Sequence, residues 1–240
     1  MQDDAPIQTP YVDNAPAVTG GFGAIEFAEN PEPRVACLLL LDTSGSMAGT
    51  PIAALNSGIQ QFKEELMTDS LAAKRVEVAI VTFGSTPYLA MDFVSASSFQ
   101  PPRLEAEGGT AMGAAIEEGL RRLDARKQMY KENGIAYFRP WVFLITDGSP
   151  TDSVTQAAVK VRNGEANHAF LFYGVGAGPH VDFNRLNEIC PPGRPAAKLE
   201  GMRFRELFSW LSKSMGTVSR STPGTAVSLP APTGWISAPT

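Results

Sequence analysis

Histidine and cysteine are scarce: two of each occur in 240 residues. Cys37 lies inside an apolar run and Cys190 precedes Pro191 and Pro192. Two separate buried thiols are therefore expected rather than a disulfide. Runs of lysine or arginine are absent, and 25 acidic residues outnumber 20 basic ones for a net charge of -5. That balance argues against nucleic acid or an anionic membrane as the main partner. No apolar stretch reaches the roughly 18–20 residues of a membrane span. The opening "MQDDAPIQTP" is acidic and polar, unlike an export signal, so a cytoplasmic protein is expected. Neither a P-loop lysine nor a G-x-S-x-G elbow occurs, and His168 and His180 stand apart from the serines of interest, which argues against a hydrolytic triad. "GVGAGP", Gly174 to Pro179, has proline where a dinucleotide fingerprint needs its third glycine, so a plain turn is expected there.

What the chain does have is regular alternation. Val35 to Leu41 is continuously apolar, as in a central parallel strand covered on both faces. Thr50 and Pro51 then read as a capping hydroxyl and a first-turn proline. Ile52, Leu55, Ile59, Phe62 and Leu66 follow at helical spacing. Val76 to Phe83 predicts a second strand and Tyr88 to Phe93 a third, the short "GSTP" turn making them antiparallel neighbours at a sheet edge. A helix is expected from about Ala111 to Glu132, a strand over Trp141 to Thr146, and a helix capped by Asp152. A strand from His168 to Val175, a short helix from Val181 to Ile189, a last strand at Lys198 and Leu199, and a helix carrying Phe204 to Met215 complete the pattern.

The economical fold is α/β: a Rossmann-like, doubly wound, mostly parallel sheet with one antiparallel edge strand. Residues 1–33 read as an N-terminal extension, partly ordered or docking, in which Ala24 to Phe27 would pair as a strand or dock. Residues 34–216 read as the domain, and 217–240 as a Pro/Ser/Thr-rich tail, disordered or draped over the surface. Trp210 is expected in the core and Trp235 against the domain or a partner.

In such sheets ligands bind beyond the carboxyl ends of the strands. Three loops reach that edge, delivering Asp42, Ser44 and Ser46, then Thr110, then Asp147. All five are oxygen donors, which suits a hard cation better than zinc. Magnesium is the expected ion, with manganese or calcium as alternatives. Hydroxyls are neutral ligands, so such an ion would keep charge for an outside carboxylate. Gly45 is expected to ease the backbone path. Met47, Pro101, Pro102 and Met112 are expected to surround the site.

"DTSGSM" has the D-x-S-x-S form of a metal-ion-dependent adhesion site, and "GGT" and "ITDG" have the form of its other two loops. From about Val35 to Met215 the chain resembles von Willebrand factor A (VWA) domains. Within them it is similar to bacterial tellurium-resistance Y-type (TerY-like) proteins, through "LLLDTSGSM", "SFQPP", "GGTAMGAAI" and "VFLITDGSPTD". The resemblance implies that Ser44, Ser46 and Thr110 touch the metal while Asp42 and Asp147 act through water or hydrogen bonds. It also implies a non-enzymatic adaptor in stress response or defence, working with a protein kinase and a PP2C-like phosphatase. The rival reading is a magnesium-dependent haloacid-dehalogenase-like phosphotransferase. That chemistry needs a second carboxylate two residues after the nucleophile, where this chain has Ser44.

Overall fold

The computed structural model describes residues 22–223 and 225–237. In chain order the elements are α1 (Phe22–Glu29), β1 (Val35–Asp42), α2 (Thr50–Thr68), α3 (Ser70–Arg75), β2 (Val76–Phe83), β3 (Pro87–Ser95) and α4 (Met112–Glu132). They continue with β4 (Trp141–Thr146), α5 (Thr155–Ala166), β5 (Leu171–Ala177), α6 (Phe183–Ile189), β6 (Ala197–Leu199), α7 (Phe204–Arg220) and β7 (Ile236–Ser237). One sheet joins the strands in the order β3-β2-β1-β4-β5-β6-β7. The central pairs are parallel and β3 is antiparallel to β2 at one edge, as the sequence predicts. β7 adds a second antiparallel strand at the other edge, which the sequence did not announce.

β1 is buried along its whole length because it separates two helical layers. Its alternate residues Val35, Cys37, Leu39 and Leu41 pack with α2 and α7, through Phe62, Phe204 and Phe208 among others. Ala36, Leu38 and Leu40 face the layer of α4 and α5. Each fully buried leucine contributes on the order of 1.5–3 kcal/mol. The α2–α7 contact is close: a Cβ on Gly58 would lie 2.7 Å from Phe208 Cδ2 and 3.1 Å from Phe204 Cβ.

Two local expectations change. The run Ala24 to Phe27 lies in helix α1, not a strand, and it docks: Phe27 is 3% exposed. Thr50 does not cap α2. Gly49 holds the cap position with φ +81 and no side-chain cap bond, and Thr50 is the first helical residue, with Pro51 in the first turn as expected.

Phe27 docks on a buried ionic cluster at the amino-terminal end of β2. Arg34 Nε and Arg126 Nε each donate to the Glu77 carboxylate at 2.8 Å, and Tyr130 OH donates to it as well. The two guanidinium carbons stand 5.3 and 5.0 Å from the Phe27 ring centroid. Arg126 also reaches Glu26 at 2.7 Å, so α1 completes the cluster's charge balance.

At the other side, the segment ending in β7 lies along α7. Trp235 is 8% exposed with its ring 6.0 Å from that of Trp210. Trp210 Nε1 donates to Pro230 O at 2.6 Å, and Glu200 N to Trp235 O at 3.0 Å. Both tryptophans thus pack on the domain.

Candidate metal centre

The strand order reverses between β1 and β4: from β1 the chain builds toward β2 and β3, from β4 toward β5 and β6. A crevice opens at such a reversal, beyond the carboxyl ends of the two strands. Asp42 ends β1, and Asp147 follows Thr146, the last residue of β4. The two aspartates therefore flank the crevice.

Asp42 is wholly buried, and both its oxygens are engaged. Oδ1 accepts from Ser44 N at 2.8 Å and Oδ2 from Thr146 Oγ1 at 2.5 Å. Thr146 Oγ1 in turn accepts from Gly148 N at 3.2 Å. Burial raises the Asp42 pKa above the ordinary carboxylate value, and the charge of Asp147 adds to this; the bonds from Ser44 and Thr146 oppose it. Beyond Asp42 the chain makes a short 3-10 turn, Gly45–Met47, which aims Ser44 and Ser46 the same way. Their hydroxyls are 2.9 Å apart, and Ser46 Oγ donates to Asp147 Oδ1 at 2.6 Å.

Thr110 comes to the same place from the loop before α4. A Cβ on Gly148 would lie 3.6 Å from Ser46 Oγ and 3.9 Å from Thr110 Oγ1, so that glycine faces both hydroxyls. All five predicted residues are thus brought together at one end of the sheet. Four are nearly buried, with Asp42 at 0%, Ser44 at 2%, Asp147 at 5% and Thr110 at 6% exposed, whereas Ser46 is exposed.

Backbone bonds lock the loops to one another. Gly45 N donates to Gly108 O at 3.0 Å, Glu107 N to Thr43 O at 2.8 Å, and Ala111 N to Gly84 O at 2.8 Å. Gly108 has φ +77, a conformation that suits glycine, and a Cβ there would strike Ser85 Oγ at 2.4 Å. The positive φ falls on Gly108 and not on Gly45. The latter serves by allowing close approach, since its Cβ would sit 3.4 Å from Gly108 O.

Three further readings are corrected. Met47 and Met112 are buried at 0% and 1%, so they support the loops from beneath rather than rim the site; Pro101 and Pro102 are half-buried. Asp152 does not cap α5, whose cap position is Val154; it bonds the first turn of α4 instead. Finally, "GVGAGP" is a plain turn only at its end, since Gly174 to Ala177 lie in β5, and its glycines serve packing and that turn. A Cβ on Gly174 would meet Cys190 Sγ at 2.5 Å, one on Gly176 would meet Val181 at 2.7 Å, and Gly178 has φ +92.

The donor set fits a hard divalent cation. It offers carboxylate and hydroxyl oxygen in a crevice, with no nitrogen or sulfur side chain among the five residues. Asp42 is enclosed with both oxygens bonded, and its neighbour two residues on is Ser44, where the phosphotransferase reading needs a carboxylate.

Comparison with known proteins agrees with this architecture. The family model described as the von Willebrand factor type A domain matches residues 38–207. The chain belongs to that family. VWA domains are general protein-interaction modules.

Among solved structures, the VWA fold here is similar to a von Willebrand factor type A protein from Catenulispora acidiphila, with 19% identity and TM-score 0.61, covering 77% of this chain and 43% of that one. It is similar to the pilus adhesin SpaC from Lactobacillus rhamnosus GG, with 13% identity and TM-score 0.63 over 78% and 31% of the two chains. A third is the ArnB paralog VWA2 from Sulfolobus acidocaldarius, with 15% identity and TM-score 0.50 over 76% and 45%. The chain spans less than half the length of each. Among curated proteins no sequence matches significantly. No helix among the described residues is long and apolar enough to cross a membrane.

Proposed function

We propose that this VWA domain is a non-enzymatic, divalent-metal-dependent binding module that takes an acidic side chain of a protein partner. The observation that carries the reading is the hydrogen-bonded run Ser44–Ser46–Asp147, with Thr110 beside it, at the crevice between β1 and β4. Ser44, Ser46 and Thr110 would hold magnesium by their hydroxyls, with manganese or calcium as alternatives, while Asp42 and Asp147 support them. When bound, the ion supplies an electrophilic position for an Asp or Glu carboxylate. The chain's own residues do the rest. Asp42 fixes the Ser44 backbone and Asp147 orients the Ser46 hydroxyl, so the donor set is arranged in advance.

The finer reading is a TerY-like adaptor in a bacterial tellurium-resistance, stress-response or defence system, whose partners are a protein kinase and a PP2C-like phosphatase. The sequence likeness in "GGTAMGAAI" and "VFLITDGSPTD" supports it. A pull-down with the 240-residue wild-type chain and Asp42→Ala, in magnesium and in EDTA, tests the reading. A kinase or phosphatase retained only by metal-loaded wild type is the expected result. Retention of the same proteins under all four conditions contradicts metal-dependent recognition.

A further inference from the structure

Thr151 and Asp152 belong to the loop that follows β4, yet their bonds go to the start of α4. Thr110 N donates to Thr151 Oγ1 at 3.0 Å, and Thr151 N donates back to Thr110 O at 2.9 Å. Gly113 N donates to Asp152 Oδ1 at 3.0 Å and Ala114 N to Asp152 Oδ2 at 2.9 Å. Together these four bonds fasten the loop carrying Asp147 to the loop carrying Thr110. We infer that Thr151 and Asp152 are positioning residues which clasp the two loops and set where the Thr110 hydroxyl stands in the candidate metal centre. The inference rests on the metal-binding reading proposed above.

A threonine hydroxyl is one bond removed from Cβ, so its position follows the backbone of its own residue. Among the described residues, both backbone polar groups of Thr110 bond Thr151, and Ala111 N is held by Gly84 O at 2.8 Å. Asp152 fixes the next turn by satisfying two amides at the amino terminus of α4 that have no partner within the helix. Its carboxylate does so across 38–39 residues of sequence, from a different loop. The loops also fit tightly, since a Cβ on Gly113 would lie 2.2 Å from Ser153 O. A plain helix cap would come from the residue just before the helix. Here that residue is Ala111, which makes no side-chain cap bond.

The Thr151 side chain is exposed, so water competes for its bond and the fold does not depend on it. Thr151→Val should therefore leave the domain folded while freeing the Thr110 amide, with the Thr151 N to Thr110 O bond retained. Asp152→Ala should do the same to the first turn of α4, and Thr151→Ser should restore the bond.

The test uses the full chain: manganese titration followed by the ion's magnetic resonance signal, together with amide hydrogen exchange at Thr110, Gly113 and Ala114. The expected result is affinity about three- to tenfold weaker in Thr151→Val and in Asp152→Ala, as for losing one or two exposed hydrogen bonds. Exchange at the named amides should quicken, and Thr151→Ser should behave as wild type. Unchanged affinity in both variants alongside tight binding by wild type overturns the clasp and leaves the metal reading standing. No binding by wild type overturns both. Weakened affinity with unchanged exchange at all three amides also overturns the clasp, because Thr110 would not have been released.

Discussion

Ser46 Oγ donates to Asp147 Oδ1 at 2.6 Å, joining two residues 101 positions apart at the tips of neighbouring strands. The bond holds an exposed hydroxyl on a nearly buried carboxylate. It explains why the "DTSGSM" and "ITDG" stretches belong to one site. From this geometry, stability and binding should respond differently to substitutions at the two aspartates.

Asp42 anchors structure as well as the site. Asp42→Ala leaves Ser44 N and Thr146 Oγ1 without their partner in a fully buried place, at a cost of about 1–3 kcal/mol. Asp147→Ala removes one accepted bond from Ser46 and should cost about 1 kcal/mol or less. Urea denaturation in EDTA, where any metal contribution is absent, should rank the two in that order.

The cluster around Glu77 should be intolerant of charge removal. Glu77→Ala takes the Glu77 carboxylate from Arg34 and leaves Arg126 its bond to Glu26; the two arginines are 1% and 6% exposed, and the loss should destabilise by about 3–5 kcal/mol. The candidate metal centre lies at the opposite end of the strands, so any magnesium affinity in whatever fraction remains folded should not change. Calorimetry at low temperature, paired with chemical denaturation, separates the two effects.

Trp235 secures the segment that caps the β6 edge. Trp235→Ala removes its contact with Trp210 and should cost about 2 kcal/mol. Near-ultraviolet circular dichroism should change with it, because the rings of Trp210, Trp141 and Tyr173 pack tilted or edge-on in the same cluster. An unchanged spectrum and midpoint would show that the segment contributes nothing to the fold.

Alkaline pH should weaken the fold through its thiols. Burial pushes the Cys190 thiol up from 9.0 to about 12 and the Cys37 thiol up still further. A folded-state value above the unfolded one means that the native protein keeps protons which the unfolded chain releases. The contribution is therefore complete below about pH 9 and is lost progressively as pH rises toward about 12. Thermal midpoints between pH 8 and 10.5 should fall accordingly. Thiol labelling at pH 8 should track global unfolding rather than follow exposed-thiol rates.

Much of this was legible in the sequence because the signals are periodic. The apolar run of β1, the helical spacing from Ile52 to Leu66 and the eight apolar-rich residues of β2 each report burial directly. The three polar motifs fall at strand ends, where the rule for open parallel sheets sends a ligand. What escaped was short or long-range. "AIEF" spans one helical turn, too little to tell a period of 3.6 from one of 2. β7 has two residues and no pattern of its own. Asp152 looks like a local cap, because nothing in a linear sequence reveals bonds to Gly113 and Ala114. Met47 and Met112 sit beside site residues in the chain, but both point into the core.

The most direct test of the account is a calorimetric titration of magnesium into the 240-residue chain, wild type beside Asp147→Ala. The account predicts saturable binding at one site per chain in wild type, weakened at least tenfold in the variant, a loss of about 1.4 kcal/mol or more. Wild type that takes up no magnesium or manganese, or a variant that binds as wild type does, would contradict it.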